Sequence, residues 1–141
     1  MGPNDAELVR VYTRNPTAAG GDPVADVTFP FKQNIEVVVD VEAGYAIFGL
    51  GAQYEVGVVV RDLSDGSFIP TTSNIKTPDS IGSDGSAWTT QATSFVFTIQ
   101  AESLGAGKEN HICEVLAYLR VGVINPDISF ARSSLFMIQH S

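Results

Sequence analysis

The run His111-Ile-Cys-Glu-Val-Leu-Ala-Tyr-Leu-Arg-Val-Gly-Val123 sets the architecture of this chain. Read with a period of two, Cys113, Val115, Ala117, Leu119, Val121 and Val123 form one unbroken apolar face. The opposite face, Ile112, Glu114, Leu116, Tyr118 and Arg120, is mixed. A strand this long, apolar on one side and half apolar on the other, belongs in the middle of a sheet.

On either side of it the same alternation recurs. Residues 7–14 read as a first strand, placed at an edge by its two arginines, Arg10 and Arg14. Residues 24–29 add a short strand ended by Pro30, and Ile35, Val37, Val39 and Val41 define another. Gly44 to Gly51 is apolar but glycine-rich and reads as a buried crossing loop, because each Gly costs a helix about 1 kcal/mol. Residues 53–63 place Tyr54, Val56, Val58 and Val60 inward, and Ser64-Asp65-Gly66 turns the chain back through Phe68 and Ile69. Residues 93–101 put Phe95, Phe97 and Ile99 inside, and residues 129–139 make the last strand. In that strand Phe136 and Ile138 compete with Leu135 and Met137 for the inner face.

The expected fold is all-β: an antiparallel Greek-key sandwich of about seven to nine strands, forming one domain over residues 1–141. Residues 1–6 read as a flexible N-terminus and 71–91 as a long surface loop. Leu104, a Gly-containing turn and a polar ring residue opening a strand resemble the E–F corner of immunoglobulin-like domains, with His111 where a tyrosine usually stands. The resemblance is architectural and spans residues 7–139. It implies that 53–63 is strand C, 93–101 strand E, 111–123 strand F and 129–139 strand G.

Two heptapeptides, Glu55-Val-Gly-Val-Val-Val-Arg61 and Glu114-Val-Leu-Ala-Tyr-Leu-Arg120, share the pattern Glu-Val-x-x-x-x-Arg. Paired antiparallel, they set Glu55 opposite Arg120 and Arg61 opposite Glu114. The same register sets Val59 opposite Leu116 and lays Tyr118 over Gly57. Val59, Leu116 and Tyr118 then form an apolar centre with a charged rim, the anatomy of a protein–protein patch. The alternative is a face covered by the protein's own loop or terminus, such as residues 71–91.

Composition narrows the functional classes. Hydrophobic residues make up 44% of the 141-residue chain and charged residues 17%, which argues against disorder. Sixteen acidic against 8 basic residues give a net charge of −8. That field repels phosphate backbones, and no polybasic stretch offers a site for anionic lipid, so neither nucleic acid nor membrane is an expected partner. Cys113 is the single cysteine. With no leader-like segment at the start of the chain, it points to a reducing, cytoplasmic setting.

No catalytic constellation emerges. Cys113 lies mid-pattern on an apolar face, and the two histidines, His111 and His140, lack ligand spacing for zinc with it. Gly105-Ala-Gly-Lys108 is followed by Glu109 rather than the Ser or Thr of a phosphate loop. Asp62, Asp65, Asp79 and Asp84 lie in or near turns, without the spacing of a calcium loop. The expectation is a non-enzymatic module without cofactor that binds a protein partner or itself, a homodimer included. The alternative is a small-ligand or carbohydrate-binding module using the 71–91 loop, with Trp88, Asp79 and Asp84 as its candidates.

Overall fold

The computed structural model describes residues 6–16, 28–30, 33–44, 48, 51–73, 79–82, 87–104, 106–122 and 127–139. Their strands are β1 (Ala6–Arg14), β2 (Thr28–Pro30), β3 (Ile35–Ala43), β4 (Gln53–Asp62), β5 (Phe68–Ile69), β6 (Thr72–Ser73), β7 (Asp79–Ser80), β8 (Ala92–Ile99), β9 (Ile112–Val121), β10 (Asp127–Arg132) and β11 (Phe136–Gln139). They build two sheets. One has the order β1-β3-β8-β6; the other runs β2-β11-β9-β4-β5, with β10 also pairing β9 and β7 pairing β4. These are the orders ABED and GFC of an immunoglobulin-like sandwich, the second sheet extended at both ends. β1 is an edge strand, and β9 is central.

The inward positions follow the period-two reading. Cys113, Val115, Ala117, Leu119 and Val121 of β9 are buried, as are Tyr54, Val56 and Val60 of β4 and Phe95, Phe97 and Ile99 of β8. Each fully buried Val, Ile, Leu or Phe contributes about 1.5–3 kcal/mol of transfer free energy. The β-branched residues that dominate β3 and β4 are also the ones that fit a pleated, half-buried surface.

Several boundaries differ from the sequence reading. Ala6, expected in a flexible terminus, is 7% exposed and paired with Ala43. Of the expected Gly44–Gly51 crossing loop only Gly44, Phe48 and Gly51 are described, and Phe48 N–H donates to the Gly44 carbonyl at 3.0 Å. Within 71–91, expected as a surface loop, the described residues include paired and buried ones: β6 pairs β8, β7 pairs β4, and Ile81 and Trp88 are fully buried. Apolar residues within that polar stretch anchor it to the core.

The last strand is interrupted. β10 pairs β9 with Arg132 opposite Leu116, whereas β11 sets Phe136 opposite Cys113, one residue out of step. At the break, Ser133 takes over the ladder. Its N–H donates to the Val115 carbonyl at 2.9 Å, and its Oγ accepts from Val115 N–H at 3.0 Å. The extra residue reverses which parity faces in. Ser129 and Ala131 turn toward the sandwich in β10, while Phe136 and Ile138 are buried in β11 and Leu135 is exposed. The two competing inner faces belong to two halves of one bulged strand.

Candidate interaction face

β4 and β9 pair in the register read from the two heptapeptides. Glu55 stands opposite Arg120, Gly57 opposite Tyr118, Val59 opposite Leu116 and Arg61 opposite Glu114. On the far side of β9, β10 adds Ile128 opposite Arg120, Phe130 opposite Tyr118 and Arg132 opposite Leu116. These side chains share the outer face, because the intervening residues of β4 and β9 fill the core.

Arg120 Nη2 lies 3.0 Å from Glu55 Oε1, and the Tyr118 hydroxyl donates to Glu55 Oε2 at 2.6 Å. That hydrogen bond, then burial, raises the Tyr118 phenol above its ordinary pKa. Glycine at 57 makes the arrangement possible: a Cβ there would sit 2.5 Å from the Tyr118 ring. Arg61 and Glu114 face each other in the ladder without closing an ion pair. The pairs fix register more than they stabilise, since half-exposed ion pairs contribute about 0.2–1 kcal/mol.

Between these charges lies an open apolar groove of about 600 Å³, lined by Val59, Leu116, Ala117, Tyr118, Phe130, Ala131 and Arg132. Val59 is 39% exposed and Phe130 77%, so the groove is open to solvent. Ile128 and Phe68 are exposed on it too, at 53% and 69%. The sequence reading missed Phe130, Ile128 and Arg132. Their signal was the alternation of Ile128, Phe130 and Arg132 with the small residues Ser129 and Ala131, obscured by the parity reversal further on.

The outer face of the other sheet has a different character. Arg10 Nε bonds Asp40 Oδ2 at 2.6 Å, Arg14 Nε bonds Glu36 Oε1 at 2.8 Å, and Ser94 Oγ donates to Asp40 Oδ1 at 2.6 Å. There the charges satisfy one another across strands, either side of Val38, which lies on the same face and is buried.

The expected ligand loop separates into structural parts. Trp88 is fully buried, stacked edge-on against Tyr54 and Phe95 with ring centroids 5.1 and 5.9 Å away. Its Nε1–H points to the Gln91 carbonyl at 3.4 Å. A ring enclosed in this way has no face to offer a sugar, which corrects its candidacy. Asp79 accepts from the Tyr54 hydroxyl and from the N–H groups of Ser80 and Ala87, at 3.0, 2.8 and 3.0 Å, and so ties the segment down. Asp84 lies outside the described residues.

At the opposite end of β4, Asp62 is fully buried and bonds His111 Nδ1 at 2.6 Å, Lys108 Nζ at 3.0 Å and Ser64 N–H at 2.9 Å. Burial pushes its carboxyl up, but these bonds together outweigh that and hold it below the usual range. Asp65, bonded by Ser67 and Lys108, also lies below it. Asp62, Asp65 and His111 bring ligand atoms within 4.8 Å of one another. Lys108 already joins both carboxylates and Ser67, so this is a closed ion network. His111 therefore does not copy the tyrosine of the E–F corner. Its ring bonds the end of β4 rather than upstream backbone. Next to it, Cys113 is enclosed, and burial pushes its thiol up to about 12, the opposite of an activated nucleophile.

No protein-family model matches the chain, and no curated protein sequence matches it. Among solved structures, the chain is similar to AggA, the major subunit of aggregative adherence fimbriae type I from Escherichia coli. The TM-score is 0.50 at 7% identity, over 98% of this chain and 97% of that one. At that identity the likeness is one of fold: an immunoglobulin-like β-sandwich.

Proposed function

We propose that the chain is a non-enzymatic β-sandwich module that self-associates through the outer face of the β9 sheet. The observation that carries this reading is the apolar groove at Leu116 and Tyr118, open to solvent at the centre of a register-locked sheet. Contiguous exposed apolar surface rimmed by charge marks a contact site more often than a bare wall. The likeness in fold to a fimbrial major subunit supports a structural role over an enzymatic one. The buried thiol, and the histidine already committed to Asp62, support it as well.

Light-scattering mass tests the proposal. The wild type should weigh more than its 15.0 kDa chain, and Leu116→Glu should return it to that mass. A wild type that stays monomeric across the accessible concentration range would remove self-association. The sugar-binding alternative has lost its aromatic platform with the burial of Trp88.

A further inference from the structure

The charged rim of this face has a symmetry that selects its partner. Val58, Ala117 and Ala131 form one row across β4, β9 and β10. Glu55 and Arg61 stand three residues either side of Val58, and Glu114 and Arg120 stand three either side of Ala117. Opposite charges therefore occupy mirrored places about that row on both β4 and β9. The Glu-Val-x-x-x-x-Arg pattern, run antiparallel, makes a checkerboard: acid beside base across the strands, and acid against base along them.

Resting on the self-association reading above, we infer that the occupant of the groove is a second copy of this chain, stacked face to face about a two-fold axis along the Val58–Ala117–Ala131 row. That rotation exchanges the two ends of every strand. Glu114 then meets the second copy's Arg120, and Glu55 meets its Arg61, each contact occurring twice. Leu116 falls on the second copy's Tyr118. Phe130, 77% exposed, falls on Arg132, which has no ion pair among the described residues and can stack on a ring. Packed sheets are offset by about 30°, which moves groups about 10 Å from the axis by about 5 Å, within reach of Arg and Glu side chains. Such a contact is isologous and closes at two copies.

The chain carries a net charge of −8, so two copies repel overall. Locally, Arg61, Arg120 and Arg132 outnumber Glu55 and Glu114, so the face itself does not add to that repulsion. A two-fold axis running along the strands, centred between β4 and β9, would also bring opposite charges together. It would instead match Glu114 with Arg61 and Arg120 with Glu55, which separates the two arrangements experimentally.

Sedimentation equilibrium on Glu114→Arg, on Arg120→Glu and on their equimolar mixture provides the test. Each variant alone sets like charges against each other twice, and its dimer should weaken by tenfold or more, as expected from like-charge juxtaposition. In the mixture, the arginine introduced at position 114 of one copy meets the glutamate introduced at position 120 of the other. The second contact keeps its original pair, so a mixed dimer should form with wild-type strength. Unchanged fluorescence from buried Trp88 reports that each variant is folded. If the wild type dimerises and Leu116→Glu abolishes the dimer but the mixture stays monomeric, the face is right and this axis is wrong. A monomeric wild type, or association that continues beyond two copies, overturns the proposal.

Discussion

The Tyr118 ring lies over Gly57, close enough that a Cβ at position 57 would come within 2.5 Å of it, while its hydroxyl donates to Glu55 at 2.6 Å. An aromatic ring covering bare glycine backbone on a neighbouring strand stabilises the ladder where glycine alone would weaken it. Here it also fixes one wall of the groove.

Gly57→Ala should therefore displace the ring and break its bond to Glu55. That charge-assisted bond, on a half-exposed face, is worth about 1 kcal/mol, and alanine regains about 0.5–1 kcal/mol of strand entropy. The net loss of stability should stay below about 1 kcal/mol, so titration is the sharper readout. Tyr118 is raised above its ordinary value when folded, so its contribution is complete below about pH 10 and is lost as pH rises through the folded pKa. Ultraviolet titration should show one tyrosine ionising at lower pH in both Gly57→Ala and Glu55→Gln.

Asp62→Asn should destabilise by about 2–3 kcal/mol in urea unfolding. It removes a fully buried carboxylate from Lys108 and His111 while leaving Lys108 bonded to Asp65 and Ser67. The folded pKa of Asp62 is depressed, so its contribution is present above about pH 4 and disappears as pH falls through the folded value. Wild-type stability should drop steeply on acidification there, and the Asn variant should show a shallower slope.

Ser133→Ala should cost about 1–3 kcal/mol, because the hydroxyl is the acceptor for the N–H of fully buried Val115. Thermal unfolding would register it. Ser134, next to it, contributes only its backbone carbonyl to that hydroxyl, so Ser134→Ala should change little.

Native Cys113 should resist a thiol reagent at neutral pH and react fully in denaturant, given its enclosure and its pKa of about 12. Reaction of the folded protein at the rate of a free thiol would contradict its placement.

The legible part of this fold was what depends on neighbours two residues apart. Alternation placed Cys113 to Val121 in the core, and the paired heptapeptides located Glu55 against Arg120 because register links charge, glycine and aromatic positions at once. What stayed hidden depends on groups far apart in sequence. Asp62 reads as a turn residue until Lys108 and His111 fold onto it. Trp88 in a polar stretch reads as either a ligand platform or a core anchor until Tyr54 and Phe95 enclose it. The bulge at Ser133 was illegible because a side-chain hydroxyl stands in for a backbone group, and period-two reading has no symbol for that. With the parity reversed, Phe130 and Ile128 could not be assigned to the outer face they share.

If the chain self-associates as proposed, its two outer faces differ in kind, one an apolar contact surface and the other crossed by ion pairs between strands. A sedimentation equilibrium series on wild type, Phe130→Glu and Val9→Glu separates them, since both residues are exposed, at 77% and 49%, on opposite sheets. Association should depend on concentration in the wild type, vanish in Phe130→Glu and persist in Val9→Glu. Equal loss in both variants, or wild type at 15.0 kDa throughout, would contradict the assignment of the contact to the β9 sheet.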